Sequence, residues 1–230
     1  MGINLVPKIN TSEMYIEEKD YFGRANDPFK DNPIKNTWSS VESGCIPEGH
    51  HRVLRFAVQS YNIGDTDLEI GDPMQHLTGQ NPIFARREDL GLPNGPHPIL
   101  FIEKFYLFNL RNDSGNVNLS GFKRPFCLAD LVNYNCNKQG ISKGGDLFDE
   151  YPSDLECQFI IIDGIADGEY TLEVLTNATS VLAVKKGIGK ILFQEDNYDD
   201  NCIAVRLKIH GNDPPEILGP GTCRIDDFVH

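Results

Sequence analysis

The sequence predicts an all-β protein, organised as a single antiparallel β-sandwich or barrel. Short segments in which apolar and polar residues alternate recur along the chain, and apolar residues at helical spacing are few. The 21 glycines and 14 prolines fall mostly between these segments. Alternation with a period of two is typical of strands that bury one face, and glycine and proline favour turns. No internal repeat is visible, so one domain is the simplest organisation.

Taken in order, the chain begins with a short apolar segment, residues 3–6, that predicts an edge strand ended by Pro7. Residues 10–43 are polar and turn-rich with interspersed aromatic side chains, which indicates an extended arm laid over a surface. The clearest alternation follows in residues 52–62, and a half-turn of helix is expected at residues 86–90. Further strands are predicted at residues 68–70, 98–110, 116–122, 158–163, 169–174, 187–194 and 203–209.

The formal net charge of −13 excludes two classes of partner. Nucleic acids and anionic membrane surfaces would repel an acidic protein, so we expect neither to bind. The longest apolar runs are far too short to span a membrane. The first residues also lack the basic and long apolar regions of a signal peptide.

The six cysteines give conflicting indications of the compartment. An even number suggests disulfides, whereas the missing signal peptide suggests a reducing environment. An extracellular location or a virion would reconcile the two if disulfides form. Composition alone allows many pairings, and six reduced, buried thiols are the alternative.

Several motifs resemble those of the lysyl oxidase family. Phe122-Lys-Arg-Pro-Phe-Cys-Leu-Ala-Asp130 is similar to that family's Lys-x-x-Phe-Cys-Leu-x-Asp segment, and residues 195–201 are similar to its Glu-x-Asp-Tyr-x-Asn-Asn loop. Other matches follow in family order: His51-Arg-Val-Leu-Arg-Phe, Gly140-Ile-Ser-x-Gly144, Asp149-Glu-Tyr151, Asp154-Leu-Glu-Cys-Gln-Phe159 and Gly168-Glu-Tyr-x-Leu172. The resemblance covers residues 3–8 and 45–223. It implies a sandwich of the lysyl oxidase type with long loops, in which residues 1–9 form an N-terminal strand, 10–44 an extended arm and 45–230 the main domain.

The resemblance also implies positions for a protein-derived cofactor. In that family a lysine and a tyrosine cross-link into lysyl tyrosylquinone, which oxidises primary amines and needs copper for its formation. Lys123 and Tyr151 stand at those positions. The alternative is an ordinary exposed lysine and a turn tyrosine with a hydrogen-bonded hydroxyl.

The copper site is where the sequence departs from the family. Lysyl oxidases use three histidines at alternate positions of one strand, so that all three face the same side. Here His97 is followed by Ile99 and Phe101 at those positions, and neither side chain binds metal. We therefore expect copper and the quinone to be absent, with Lys123 and Tyr151 as vestiges. A rearranged copper site would have to combine His97 with others, namely His50, His51 or His76.

A calcium site is the second metal that the resemblance implies. The family holds Ca²⁺ between an N-terminal Asp-Leu pair and the Glu-x-Asp-x-x-Asn-Asn loop, and Ca²⁺ prefers six to eight oxygen ligands. The matching residues are Asn4, the carbonyl of Leu5, Glu195, Asn197, Asp200 and Asn201. The alternative is a turn with solvated acids. If calcium binds, we expect a weak structural site that ties the N-terminal strand to this loop.

The same resemblance implies a disulfide pairing. Cys127 with Cys136 and Cys45 with Cys157 match two family pairs, which leaves Cys202 with Cys223.

These observations lead to three functional hypotheses. The first is a non-catalytic lysyl-oxidase-like domain that acts as a structural or interaction protein in an assembly, such as a virion or an extracellular layer, and binds other protein chains through the arm at 10–44. The second is a copper-dependent amine (protein-lysine 6-) oxidase with lysyl tyrosylquinone and a rearranged copper site. The third is a carbohydrate- or peptide-binding sandwich that uses exposed aromatic residues such as Tyr106 and Phe108.

Overall fold

The structure, a computed structural model, describes residues 2–32, 35–76, 83–86, 100–102, 104–125 and 127–228. Within these ranges the α-helices are α1 (Trp38–Glu42) and α2 (Ala178–Lys186). The strands are β1 (Leu5–Tyr21), β2 (Gly49–Asn62), β3 (Leu68–Gly71), β4 (Phe84–Arg86), β5 (Leu100–Ile102), β6 (Tyr106–Arg111), β7 (Asn118–Lys123), β8 (Gln139–Ile141), β9 (Phe148–Tyr151), β10 (Phe159–Ile161), β11 (Gly168–Leu175), β12 (Cys202–Ile209) and β13 (Glu216–Pro220). The strands pair antiparallel, which confirms the predicted all-β class.

Two main sheets form the architecture. In the first sheet, β2 pairs with β1 along one side and with both β10 and β9 along the other. The second sheet has the order β13-β12-β11-β6-β7. Two small sheets, β3 with β8 and β4 with β5, lie beside these. β9 and β7 each end at a residue named above, Tyr151 and Lys123.

The hydrophobic core lies between the two main sheets. Leu54, Phe56 and Val58 alternate along β2 and join one cluster with Phe108 and Leu172 of the second sheet. The Phe56 and Phe108 rings meet edge to face at 4.9 Å, a favourable aromatic geometry. The alternation that predicted β2 is therefore the packing pattern of the core.

The proposed use of Tyr106 and Phe108 as exposed ligand-binding aromatics is wrong. Both side chains are completely buried. The Tyr106 hydroxyl is satisfied inside the protein, since it hydrogen-bonds Ser60 Oγ at 2.7 Å. Their alternation along β6 places them in the core between the sheets, where no carbohydrate or peptide has access.

The first strand is much longer than predicted. The sequence indicated an edge strand that ends before Pro7, but β1 continues to Tyr21 and pairs with β2 over both halves, with an irregularity between Asn10 and Tyr15. Pro7 is tolerated because β1 is an edge strand with a partner on one side, so the missing N–H costs little. Residues 10–21 of the predicted arm thus belong to a sheet.

The structure also differs from the sequence prediction at residues 98–110, at residues 187–194 and at α2. The strand expected at residues 98–110 is divided into β5 and β6, and Lys104 between them has a positive φ of 49°. The strand expected at residues 187–194 is not formed, because Leu192 and Phe193 donate their N–H groups to Ser180 Oγ instead of to a strand. Ser180 belongs to α2, a helix that the sequence analysis missed. The half-turn expected at residues 86–90 falls largely outside the described residues.

Disulfides join all six cysteines in the pairs that the resemblance implied. Cys45–Cys157 spans 112 residues of sequence, Cys202–Cys223 spans 21 and Cys127–Cys136 spans nine. The first bond fastens the segment after α1 to the start of β10. Among the described residues, no helix has the length and apolar character needed to cross a membrane.

Candidate functional site

A cavity of about 450 Å³ opens between the first sheet and the segment that follows β1. Lys123 and Tyr151 both line it, because β7 and β9 end at its wall. Arg55 of β2, residues of α1 and two disulfides complete the lining. Leu131, which is 75% exposed, also borders the cavity, so the cavity is open to solvent on that side.

The two predicted cofactor positions lie next to each other. Lys123 Nζ stands 5.5 Å from the centre of the Tyr151 ring, within cation–π distance. Each polar group also has a backbone partner: Nζ donates to the carbonyl of Glu156, and the Tyr151 hydroxyl donates to the carbonyl of Cys127 at 2.9 Å. Both side chains are buried, so the expectation of an ordinary exposed lysine does not describe Lys123.

Burial sets the protonation behaviour of this pair. Desolvation lowers the pKa of Lys123 to about 8, assisted by the charge of Arg55 and opposed by Glu156 and Asp149. Desolvation also raises the pKa of Tyr151 well above its usual range, and the carboxyl of Asp149 adds to the effect. The lysine therefore loses its proton more readily than usual, whereas the phenol keeps its own.

Asp149 is a site residue whose role sequence reasoning missed. Burial raises the pKa of its carboxyl well above the usual range, although the Ala129 N–H donates to Oδ1 at 3.1 Å. Oδ2 is buried without a hydrogen-bond partner among the described residues. A carboxyl group with a raised pKa thus borders the same cavity as Lys123. The Asp149-Glu-Tyr151 motif contained it, but only Tyr151 was assigned a role.

Arg55 forms the second charged feature of the cavity wall. Its Nε donates to Glu17 at 2.5 Å, and Nη1 donates to the carbonyl of Ser153 at 3.0 Å. Arg55 is only 4% exposed. Successive residues of a strand face opposite sides, so Arg55 lies on the face of β2 opposite to Phe56 and the core. The segment after β1 covers that face and turns it into the wall of the cavity.

The segment after β1 packs its own aromatic residues inward. Trp38 of this segment is almost completely buried, as is Tyr21 at the end of β1, and Trp38 Nε1 donates to the Lys30 carbonyl at 3.0 Å. Asp27 fixes the start of α1 by accepting hydrogen bonds from the N–H groups of Thr37 and Trp38. Phe29 is the aromatic residue of this segment that remains exposed, at 50%.

His97, the histidine that remains of the family's copper site, lies outside the described residues. Ile99 and the side chains of His76 and Phe101 also lie outside them, so the loss of copper stays a prediction. His50 and His51 are described: the His50 ring bonds Asp20 and Glu18, and His51 Nδ1 bonds Asp163 at 2.6 Å. Neither histidine lines the cavity. In the described part of the chain, no group of three or more His, Cys, Asp or Glu side chains could hold a metal.

The predicted calcium ligands mostly come together. Glu195 accepts hydrogen bonds from the Leu5 N–H and from Asn201 Nδ2, and Asn4 Nδ2 donates to Asp200 at 3.0 Å. Asn197 instead caps its own turn by accepting the Asp199 N–H. Asn177, which the sequence analysis did not include, adds a hydrogen bond to Glu195 from the N-terminus of α2.

The residues at this place fit a hard cation. Burial raises the pKa of Glu195 to about 7. Amide and carboxyl oxygens around it are buried and have no hydrogen-bond partner within the described ranges, namely Oδ1 of Asn4, Asn177, Asp200 and Asn201. Calcium prefers such oxygens, and a rotation of an Asn amide by half a turn exchanges its nitrogen for its oxygen. The site therefore offers two acids and up to three amide oxygens.

Comparisons with known proteins agree with the sequence motifs. A sequence model of the family described as "Lysyl oxidase" matches residues 97–211. Lysyl oxidase homolog 4 of Mus musculus is 25% identical over 228 residues, which is 91% of this chain and 26% of that protein. Lysyl oxidase homolog 3B of Danio rerio is 28% identical over 167 residues, or 64% of this chain and 19% of that protein. The chain thus spans about a quarter of the length of such relatives.

Proposed function

Because this chain belongs to the lysyl oxidase family, we propose that it is a non-catalytic member that acts as a structural and interaction protein. The observation that carries the proposal is the state of the Lys123–Tyr151 pair. Both polar groups are engaged by backbone carbonyls, and burial raises the pKa of the Tyr151 phenol well above its usual range. The sequence adds that positions 97, 99 and 101 carry a single imidazole.

Other protein chains are the partners that we propose, at the surface of the 10–44 arm. Residues 10–21 of this arm lie in β1, an edge strand whose outer side has no partner strand in the described ranges. Such an edge can pair with a strand of another chain, and backbone hydrogen bonds would supply the affinity. The exposed Phe29 ring lies in the second half of the arm. The three disulfides suit an oxidising setting such as a virion or an extracellular layer.

The test is a carbonyl stain after aerobic incubation of the purified chain with copper. We expect no phenylhydrazine adduct, and intact peptides that contain Lys123 and Tyr151 separately. The Tyr151→Phe variant should give the same spectrum as the parent chain. Light scattering on the same samples should show a mass above that of the 25.8 kDa chain. An adduct on a cross-linked Lys123–Tyr151 peptide would refute the non-catalytic assignment, and a monomer at all concentrations would refute self-assembly.

A copper-dependent amine oxidase is the second candidate, and the 5.5 Å approach of Lys123 to the Tyr151 ring favours it. The two residues lie close enough to cross-link after modest movement. When bound, copper would supply the oxidation of the tyrosine ring that precedes the cross-link. This candidate predicts stoichiometric copper and the adduct described above, so the same experiment decides between the two.

We also propose that the loop containing Glu195 binds Ca²⁺ and thereby fastens the start of β1. Calcium at about 100 times its Kd should stabilise the fold by about 2.7 kcal/mol, which raises Tm by roughly 5–10 °C for a domain of this size. Differential scanning calorimetry with and without calcium measures the shift. Glu195→Gln should abolish it, whereas Asp196→Asn, which removes a charge from the same loop, should preserve it. An unchanged Tm at millimolar calcium would contradict the site.

A further inference from the structure

The cavity beside β7 and β9 contains a buried lysine. A structural and interaction role for the protein does not require such a lysine. Lys123 is buried, lines the cavity and is surrounded by Arg55, Glu156, Asp149 and Tyr151. The cavity volume of about 450 Å³ lies within the range of small-molecule sites. A buried amine with access to a solvent-connected cavity is the arrangement in which lysines form Schiff bases with carbonyl compounds.

We propose that Lys123 captures small aldehydes as a reversible imine, with Asp149 as the proton donor of the dehydration step. The inference rests on the proposed function, because it requires a Lys123 that is not cross-linked into a quinone. The ligand class is an aldehyde small enough for the cavity, and its body would lie against the face of Tyr151.

The reaction balances without an oxidant or a reductant. The neutral Nζ attacks the carbonyl carbon, the C–O π bond breaks, and a proton passes from nitrogen to the oxygen to give a carbinolamine. Asp149 then donates its proton to the departing hydroxyl, which leaves as water while the C=N bond forms. The remaining N–H proton returns to the Asp149 carboxylate. Overall, amine and aldehyde give imine and water.

The charges around Lys123 support the first step. With a pKa of about 8, the neutral fraction of Lys123 at pH 7 is roughly 300-fold larger than that of a lysine at 10.5. Desolvation is the main cause of the lowered pKa, the charge of Arg55 adds to it, and the carboxylate of Glu156 opposes it. The second step needs a protonated acid, and burial favours that form of Asp149 because it raises the pKa of the carboxyl well above its usual range. Both groups line one cavity, so a bound aldehyde can reach them together.

The test is reductive trapping with propanal and sodium cyanoborohydride at pH 7, followed by peptide mapping. We expect the first propyl group on Lys123, at least roughly tenfold faster than on any other lysine, since lower nucleophilicity and burial offset part of the gain in neutral fraction. The rate at Lys123 should rise with pH and level off above pH 8, and the exposed Lys208 serves as the comparison within the same peptide map. Asp149→Asn should slow trapping at Lys123 at least about tenfold without changing Lys208.

Lys208→Arg is the matched control and should leave the trapping at Lys123 unchanged, while Lys123→Arg should remove it. Since the wild-type peptide map reads the site directly, the test does not depend on the folding of any variant. Labelling of exposed lysines with Lys123 spared would overturn the inference, and an unchanged rate in Asp149→Asn would overturn the role of Asp149. The intact mass before aldehyde separates the two proposals: a cross-linked Lys123 refutes the non-catalytic assignment, whereas an unlinked but unreactive Lys123 refutes only the aldehyde site.

Discussion

Replacing Cys45 and Cys157 together by alanine is expected to lower the free energy of unfolding by about 4–5 kcal/mol. The bond joins positions 112 residues apart. In the chain-entropy description, a cross-link across a loop of about 100 residues restricts the unfolded chain by about 4.7 kcal/mol. Both sulfur atoms also border the Lys123 cavity, so the covering segment should loosen as the bond is removed. Urea denaturation of parent and variant measures the difference.

The Cys202–Cys223 pair supplies the matched comparison. Its bond closes a sequence separation of 21 residues, for which the same description gives about 3 kcal/mol. The two double-alanine variants should therefore differ by more than 1 kcal/mol, with the Cys45 variant the less stable. Equal losses, or a larger loss for Cys202 and Cys223, would contradict the assignment of the longer bond as the stronger stabiliser.

Lys123→Met is expected to stabilise the protein at pH 7 by about 2 kcal/mol. A fall of the pKa from 10.5 to about 8 corresponds to a penalty of about 3 kcal/mol for the buried ammonium, of which the lost hydrogen bond to Glu156 returns about 1 kcal/mol. Below pH 8 both the native and the unfolded chain carry the proton, so the penalty is fully present. Between pH 8 and 10.5 only the unfolded chain keeps it, so the stability of the parent rises with pH.

The advantage of the methionine variant should therefore disappear near pH 9.5. Urea denaturation at pH 7 and pH 9.5, for parent and variant, provides the four values needed. Lys208→Met serves as the control, because it makes the same substitution at an exposed lysine. A stability difference between parent and Lys123→Met that is equal at both pH values would show that Lys123 carries no buried charge.

The alternation of apolar and polar residues in short segments was sufficient to predict the all-β fold and the position of β2. Burial of one face leaves this pattern in the local sequence of a strand. This pattern was insufficient for Arg55. The sequence places Arg55 opposite Phe56, but only the tertiary path of the residues after Tyr21 decides that this outer face is covered. The helix α2 was missed because its helical pattern is short. The buried apolar residues Ala178, Val181 and Leu182 span little more than one helical turn, which is too few to reveal a helix among predicted strands.

The candidate site likewise contains residues that the sequence identified and residues whose roles only the structure shows. Lys123 and Tyr151 were identified from matched motifs, and the structure adds that they lie beside each other. The raised pKa of Asp149 could not be read from the sequence, because it depends on burial of the carboxyl in the folded chain. Asn177 was missed because its backbone adopts a left-handed conformation at the start of α2, with φ of 45°, which turns its amide towards Glu195.

The hydrogen bond between Leu5 and Glu195 has a consequence for the order of events during synthesis. These residues are 190 positions apart, so Leu5 in β1 gains this partner only after the loop before β12 has emerged from the ribosome. Until then, the first residues of β1 are held by the end of β2, where Leu5 lies opposite Asn62, and lack the bond to Glu195. Contacts of such long range slow folding, and nascent chains fold progressively as they emerge. A chain halted before residue 195 should therefore present its first residues to proteases, and the full chain should protect them.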